Sequence, residues 1–117
     1  MSLGDYLRSN FVFPRRVATV IDLLGPIWSG TSDNTSNAYT LTLDPAITRL
    51  VDGQSFRFKS NHTNTGAATM NVNGLGAKSI KRINGSTALS ASDITSGNIC
   101  EIVWDEAGDA FRLIQLA

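Results

Sequence analysis

The 117-residue sequence contains one cysteine and one histidine, which removes most metal and nucleophile chemistry. A lone Cys100 excludes an intrachain disulfide and any site built on a cysteine pair. A lone His62 leaves no pair of ligands at zinc-binding spacing, and carboxylates do not cluster as in a calcium site. We therefore expect no metal and no cofactor, and we interpret His62, which lies in a run of Asn and Thr, as a solvated surface residue.

Charge and long apolar runs are also scarce. Charged residues make up 17% of the chain, and ten Lys and Arg balance ten Asp and Glu to a formal net charge of +0. Sequence-independent binding to nucleic acid needs a cationic surface, so we expect no nucleic-acid partner. The sequence contains no run of about 18 apolar residues, which is the length that crosses a membrane, so we expect no membrane span. Residues 1–10 contain Asp5 and Arg8 and lack the apolar core of a secretory signal, so we expect assembly in a cytoplasm.

Short alternating segments dominate the sequence after residue 38. In Ser55–Lys59, Phe56 and Phe58 fall on one face while Arg57 faces the other, as in a half-buried strand. Asn73-Gly74 and similar pairs supply the turns. This pattern predicts an all-β, antiparallel β-sandwich or jelly roll of six or seven strands. The predicted strands are 39–43, 55–59, 68–73, 79–83, 98–104 and 110–116.

Alternation also predicts which side chains form the core. Residues on the apolar face of each strand should be buried, and Cys100 should point inward among them. Arg57 should face solvent or an interface. Most of the core is predicted to be formed by Phe56, Phe58, Met70, Val72, Ile102, Trp104, Phe111 and Leu113.

The N-terminal third differs from the rest. Val17, Val20, Ile21 and Leu24 fit one face of a helix, but the β-branched content of the same stretch also fits a strand or an extended arm, which has a slight edge. Residues 29–37 are polar and read as a loop or linker. We therefore divide the chain into an N-terminal arm and linker, 1–37, and a β-sandwich module, 38–117. The arm residues predicted to bind a partner are Phe11, Phe13, Arg15, Arg16, Val17 and Ile21.

Two sets of residues could form a site. Asp105, Glu106 and Asp109 could bind a cation or act as paired acids, but we interpret them as a solvated hairpin tip. No nucleophile, base and orienting group can be assembled from the sequence, so we expect no enzyme. Aromatic rings beside Asn and Asp can also bind glycans, with core packing as the alternative. The candidate glycan contacts are Trp28, Tyr39 and Trp104.

Several segments resemble a small β domain of tailed-bacteriophage virion proteins. Asn64–Lys78, a turn, a short strand and a second turn, carries most of the similarity. The other matching segments are Tyr39–Ala46, Asp52-Gly53, Phe56–Lys59 and Phe111–Ile114. In that family the domain occurs in tail-fibre and tailspike proteins and in capsid decoration, or cement, proteins.

The resemblance implies a non-enzymatic structural protein of a virion. A single module with an apolar arm favours a capsid decoration protein that docks on the major capsid protein or other virion subunits. A tail-fibre or tail-adaptor component, or a module that recognises a host glycan, is the alternative. Because small sandwiches leave strand edges to be covered, we also expect a homo-oligomer, either a dimer or a trimer.

Overall fold

The structure is a computed structural model that describes residues 26–114, and these residues contain seven β-strands and no helix. The all-β prediction is therefore confirmed for this part of the chain. The predicted arm lies outside the described residues. The strands are β1 (Ile27–Thr31), β2 (Ala38–Leu41), β3 (Ser55–Lys59), β4 (Ala68–Val72), β5 (Lys78–Lys81), β6 (Ile99–Asp105) and β7 (Ala110–Ile114).

All seven strands belong to one sheet, in the order β1-β3-β6-β7-β5-β4-β2, which curls into a nearly closed barrel. β1 and β2 are its two edges. The β3-β6, β6-β7 and β4-β5 pairs are antiparallel. The β1-β3, β2-β4 and β5-β7 pairs are parallel. The prediction of an antiparallel sheet is therefore wrong for half of the strand pairs.

The barrel interior holds all eight of the predicted core residues. Phe111 is completely buried, with ring centroids 6.2 Å from Phe56 and 5.0 Å from Trp104, and both pairs meet edge to face. Such contacts between aromatic rings add stability beyond the area that they bury. Arg57 is exposed on the outer face of β3, as predicted, where it pairs with Glu101 at 3.0 Å.

β1 lies where a linker was predicted. Ile27–Thr31 pairs in parallel with β3, and the register shifts between Trp28 and Thr31. Gly30 lies inside this irregularity with a φ of 75°, a conformation that costs glycine little. The prediction of a loop from Ser29 onward is therefore wrong for this segment. The polar residues Ser29 and Thr31 belong instead to an edge strand with an irregular register.

The turn, strand and turn predicted for residues 64–78 are confirmed, and the first turn is held by a buried side chain. Asn64 is 1% exposed. Its Nδ2 donates to the carbonyls of Gly66 and Ser90 at 2.7 and 2.9 Å, and its Oδ1 accepts from the Ile94 N–H at 2.8 Å. The Asn64 amide thus joins this first turn, which we call the corner, to the loop between β5 and β6, because it makes hydrogen bonds to three backbone groups in these two segments.

Candidate functional site

Each of the three acids of the β6–β7 hairpin makes a polar contact with another residue of the barrel, and Glu106 and Asp109 are exposed. Asp105 pairs with Arg112 at 2.8 Å, and Asp109 pairs with Lys78 at 2.9 Å. Glu106 accepts a hydrogen bond of 2.7 Å from the indole Nε1 of Trp104. The carboxylates point to separate partners, so the structure does not bring them together as paired acids or as a cation site.

Two aspartates have lowered pKa values. The hydrogen bond from the Arg112 guanidinium and then the Gly108 N–H hold the pKa of Asp105 below its usual range. Burial raises the pKa of Asp93, but the Ser90 N–H and the Arg82 guanidinium outweigh it and lower the pKa overall. Both carboxylates are therefore favoured in the ionised, folded state.

Acid should destabilise the fold through these two groups. A carboxyl whose pKa is lowered by folding contributes stability above its unfolded pKa, about 3.9, and loses it as the pH falls through the folded value. We expect the urea midpoint to drop below about pH 4. The Asp93→Asn and Asp105→Asn variants should be less stable at pH 7 and lose less stability on acidification. A wild-type pH profile in the double variant would contradict this assignment.

His62 is not the freely solvated residue that the sequence predicted. Its ring stacks on Tyr39, with centroids 4.1 Å apart and planes 5° apart. Nδ1 lies 2.8 Å from the Asn61 side-chain oxygen, and Nε2 contacts the carbonyl of Ser36. The ring therefore ties the β1–β2 connection to the corner, and both nitrogens are engaged in doing so.

Cys100 points inward, as predicted, and it is buried. Burial raises the pKa of its thiol, and a hydrogen bond with Ser60 only partly opposes this effect. Because the thiolate is the reactive form of cysteine, Cys100 is a packed apolar side chain at neutral pH.

Two of the three candidate glycan contacts lie in the core. Tyr39 is 1% exposed, its hydroxyl donates to the His62 carbonyl at 2.9 Å, and burial raises its pKa to about 12. Trp104 is 3% exposed. Neither ring offers a face to a ligand, so both are corrected to core residues. The apolar strand context of the two rings was the sequence signal for this outcome.

Trp28 is the exception, since 58% of it is exposed. Trp28 is one of the residues that line a cavity of about 210 Å³ between β1 and the segment that follows β2. We call this cavity the Trp28 cleft. It is lined by Ile27, Trp28, Ser29, Thr42, Leu43, Asp44, Pro45 and Ile47. The sequence predicted the tryptophan as a contact but none of its neighbours, because residues 42–47 approach it only through the fold.

The remaining predictions concern the arm, metal binding and the membrane. The arm residues Phe11, Phe13, Arg15, Arg16, Val17 and Ile21 lie outside the described residues. Within residues 26–114, no group of three or more His, Cys, Asp or Glu side chains is placed to hold a metal ion. The same residues contain no helix of the length and apolarity needed to cross a membrane.

Comparison with known proteins adds no relative. No protein-family model matches the chain, and no curated protein matches it. We therefore infer function from the described residues and from the resemblance of individual segments.

Proposed function

We propose that this chain is a non-enzymatic structural protein of a bacteriophage virion, and specifically a capsid decoration protein. The observation that carries the proposal is the position of the segments that resemble the phage domain. They contribute β2, β3, β4 and β7, which are four of the seven strands of the barrel, together with the corner at Asn64. The resemblance thus covers several strands of the barrel and the corner, and not one isolated strand.

The contacts that the acidic, histidine and cysteine side chains make within the barrel support a structural role. Asp105, Glu106 and Asp109 bind partners within the barrel, His62 joins two loops, and Cys100 is buried with a raised pKa. A catalytic acid, base or nucleophile must be free to reach a substrate. Here these side chains stabilise the fold instead.

The barrel is also compatible with the predicted β-sandwich or jelly roll, which we retain as part of the proposal. Tyr39 on β2 and Phe58 on β3 face each other across the interior with ring centroids 6.4 Å apart. These strands are close to opposite ends of the sheet order. A sheet folded over in this way buries side chains between two facing halves, as a sandwich does.

The place where the arm joins the barrel suggests how the protein docks. Residue 26 leads directly into β1, which is an edge of the sheet and borders the Trp28 cleft. The aromatic residues Phe11 and Phe13 need a surface to cover them, and Arg15-Arg16 can pair with acidic groups on it. We propose that the arm binds the major capsid protein or a neighbouring copy in a homo-oligomer, while the barrel faces outward.

Cosedimentation with phage particles that lack the chain tests the docking role of the arm. The full-length protein should bind, and the Phe11→Ser/Phe13→Ser variant should lose about tenfold or more in affinity, since interface aromatics often dominate binding energy. Ile83→Ser is the matched control, because Ile83 is an exposed apolar residue of the barrel.

The outcomes separate the alternatives. Equal binding by the arm variant and the wild type would show that the barrel, and not the arm, is the anchor. Binding to isolated tails but not to capsids would favour the tail-fibre or tail-adaptor function. Failure to bind either structure would contradict a virion role.

A further inference from the structure

We propose that the Trp28 cleft is a binding site for one residue of a neutral saccharide. This site goes beyond the proposed structural role, and it does not depend on that role. Three features of the cleft carry the inference: an exposed indole, a carboxylate without a partner in the barrel, and a cavity of limited size.

The indole provides a stacking surface. Trp28 is on the outward-facing side of β1, opposite Arg57 in the register with β3. At 58% exposure it is the most exposed of the large apolar side chains in the described residues. A rigid ring with an apolar face and an N–H suits a ligand that is apolar on one face and polar at its edges. A hexose ring has both properties.

The carboxylate of Asp44 differs from every other carboxylate in residues 26–114. The other seven accept hydrogen bonds from residues of the barrel. Within the described part of the chain, Asp44 receives none, and it lies at the wall of the cleft. The hydroxyl of Thr42, on the same wall, also has no partner among these residues. An acceptor and a donor are thus available to hydroxyl groups of a ligand.

The remaining wall completes the site. Ser29 is occupied, because its hydroxyl donates to the Ile27 carbonyl at 3.0 Å. Leu43, Pro45 and Ile47 supply apolar surface. The volume of about 210 Å³ is smaller than that of pockets for drug-sized ligands, about 300–1,000 Å³. The cleft therefore suits a single ring, with the rest of a glycan in solvent.

Asp44 also restricts the class of ligand. An apolar protein segment in the cleft would remove water from the carboxylate without replacing its hydrogen bonds, which is costly. An acidic sugar would place a second negative charge beside it. A neutral hexose replaces water with hydroxyl groups and avoids both penalties.

NMR of the full-length, ¹⁵N-labelled protein tests the site, because its two tryptophans give separate indole N–H signals. Lactose and maltotriose serve as neutral probes and glucuronic acid as the charged probe. We expect the neutral sugars to shift the Trp28 signal in a saturable way and to leave Trp104, which is buried and bonded to Glu106, unchanged. Glucuronic acid should bind at least several-fold more weakly.

Variants identify the contacts by their dissociation constants, measured by calorimetry with the neutral sugar that shifts Trp28. Trp28→Ala should raise Kd about tenfold or more and Asp44→Asn several-fold. Ile99→Ala, at 56% exposure, should bind as the wild type does. Thermal unfolding should confirm that all three variants are folded. No shift with either neutral sugar, or wild-type affinity in Trp28→Ala, would overturn the proposal. A change in self-association without sugar binding would overturn it too, because it would assign the cleft to a protein contact.

Discussion

Replacing Phe58 by alanine is expected to lower the free energy of unfolding by about 3–5 kcal/mol. The ring is completely buried, and it faces Tyr39 across the barrel at 6.4 Å. Removing it loses both the burial of the ring and the packing of the atoms around it, and the rigid strands on either side cannot close the cavity. Urea unfolding followed by circular dichroism measures the loss.

Ile99→Ala is the matched control for this strand pair. Phe58 and Cys100 are register partners, and Ile99 is the residue of β6 just before Cys100, but it is 56% exposed. Its truncation should change stability by about 0.5 kcal/mol or less. If Phe58→Ala and Ile99→Ala had equal urea midpoints, the inward orientation of Phe58 would be wrong.

Replacing Asn64 by alanine should lower the free energy of unfolding by about 2–4 kcal/mol. Although the side chain is polar, its amide is the partner of the Ile94 N–H and of the carbonyls of Gly66 and Ser90. Alanine leaves these buried groups unpaired, and each unsatisfied group costs more than an ordinary hydrogen bond contributes. Asn64→Asp should also destabilise the fold, because it removes the two donors.

Asn84→Ala tests whether burial is the cause. Asn84 also bonds to backbone N–H groups, at Ser86 and Thr87, but in an exposed turn where water can replace it. We expect a loss of about 1 kcal/mol or less from its truncation. Hydrogen exchange should show the Ile94 amide opening faster in Asn64→Ala only. Equal losses in the two variants would contradict the role of Asn64 as a buried link between loops.

The sequence predicted the orientation of side chains well because a strand has a fixed period of two. Phe56 and Phe58 are buried while Arg57 between them is exposed, and the same rule placed Cys100, Ile102 and Trp104 inward. Alternation depends only on local backbone geometry. The alternation of inward and outward side chains along a strand is therefore the same whichever strands pair with it.

The choice of partner strands could not be predicted in the same way. β4 pairs in parallel with β2, although the two strands are separated along the chain by β3. The side-chain pattern of a strand is the same for a parallel and an antiparallel neighbour, so it does not indicate which strands pair or in which direction. β1 was missed for a related reason, since its Ser-Gly-Thr ending resembles a loop by composition.

The candidate site was predicted only through one residue. Trp28, Tyr39 and Trp104 were all candidates, although the apolar strand context of two of them favoured core packing, and exposures of 58%, 1% and 3% separate them. Asp44 could not be linked to Trp28 beforehand, because the cleft forms where the start of β1 meets the segment after β2. Such a contact depends on the tertiary fold and leaves no spacing motif in the sequence.

The position of the chain on a phage particle tests the central proposal most directly. Immunogold electron microscopy of purified particles, using an antibody against the full-length protein, measures that position. If the chain is a capsid decoration protein, gold should be spread over the shell of intact particles and absent from particles assembled without the chain. Particles that carry no gold above this background, with the protein recovered only in the soluble fraction of the lysate, would contradict a role in the virion.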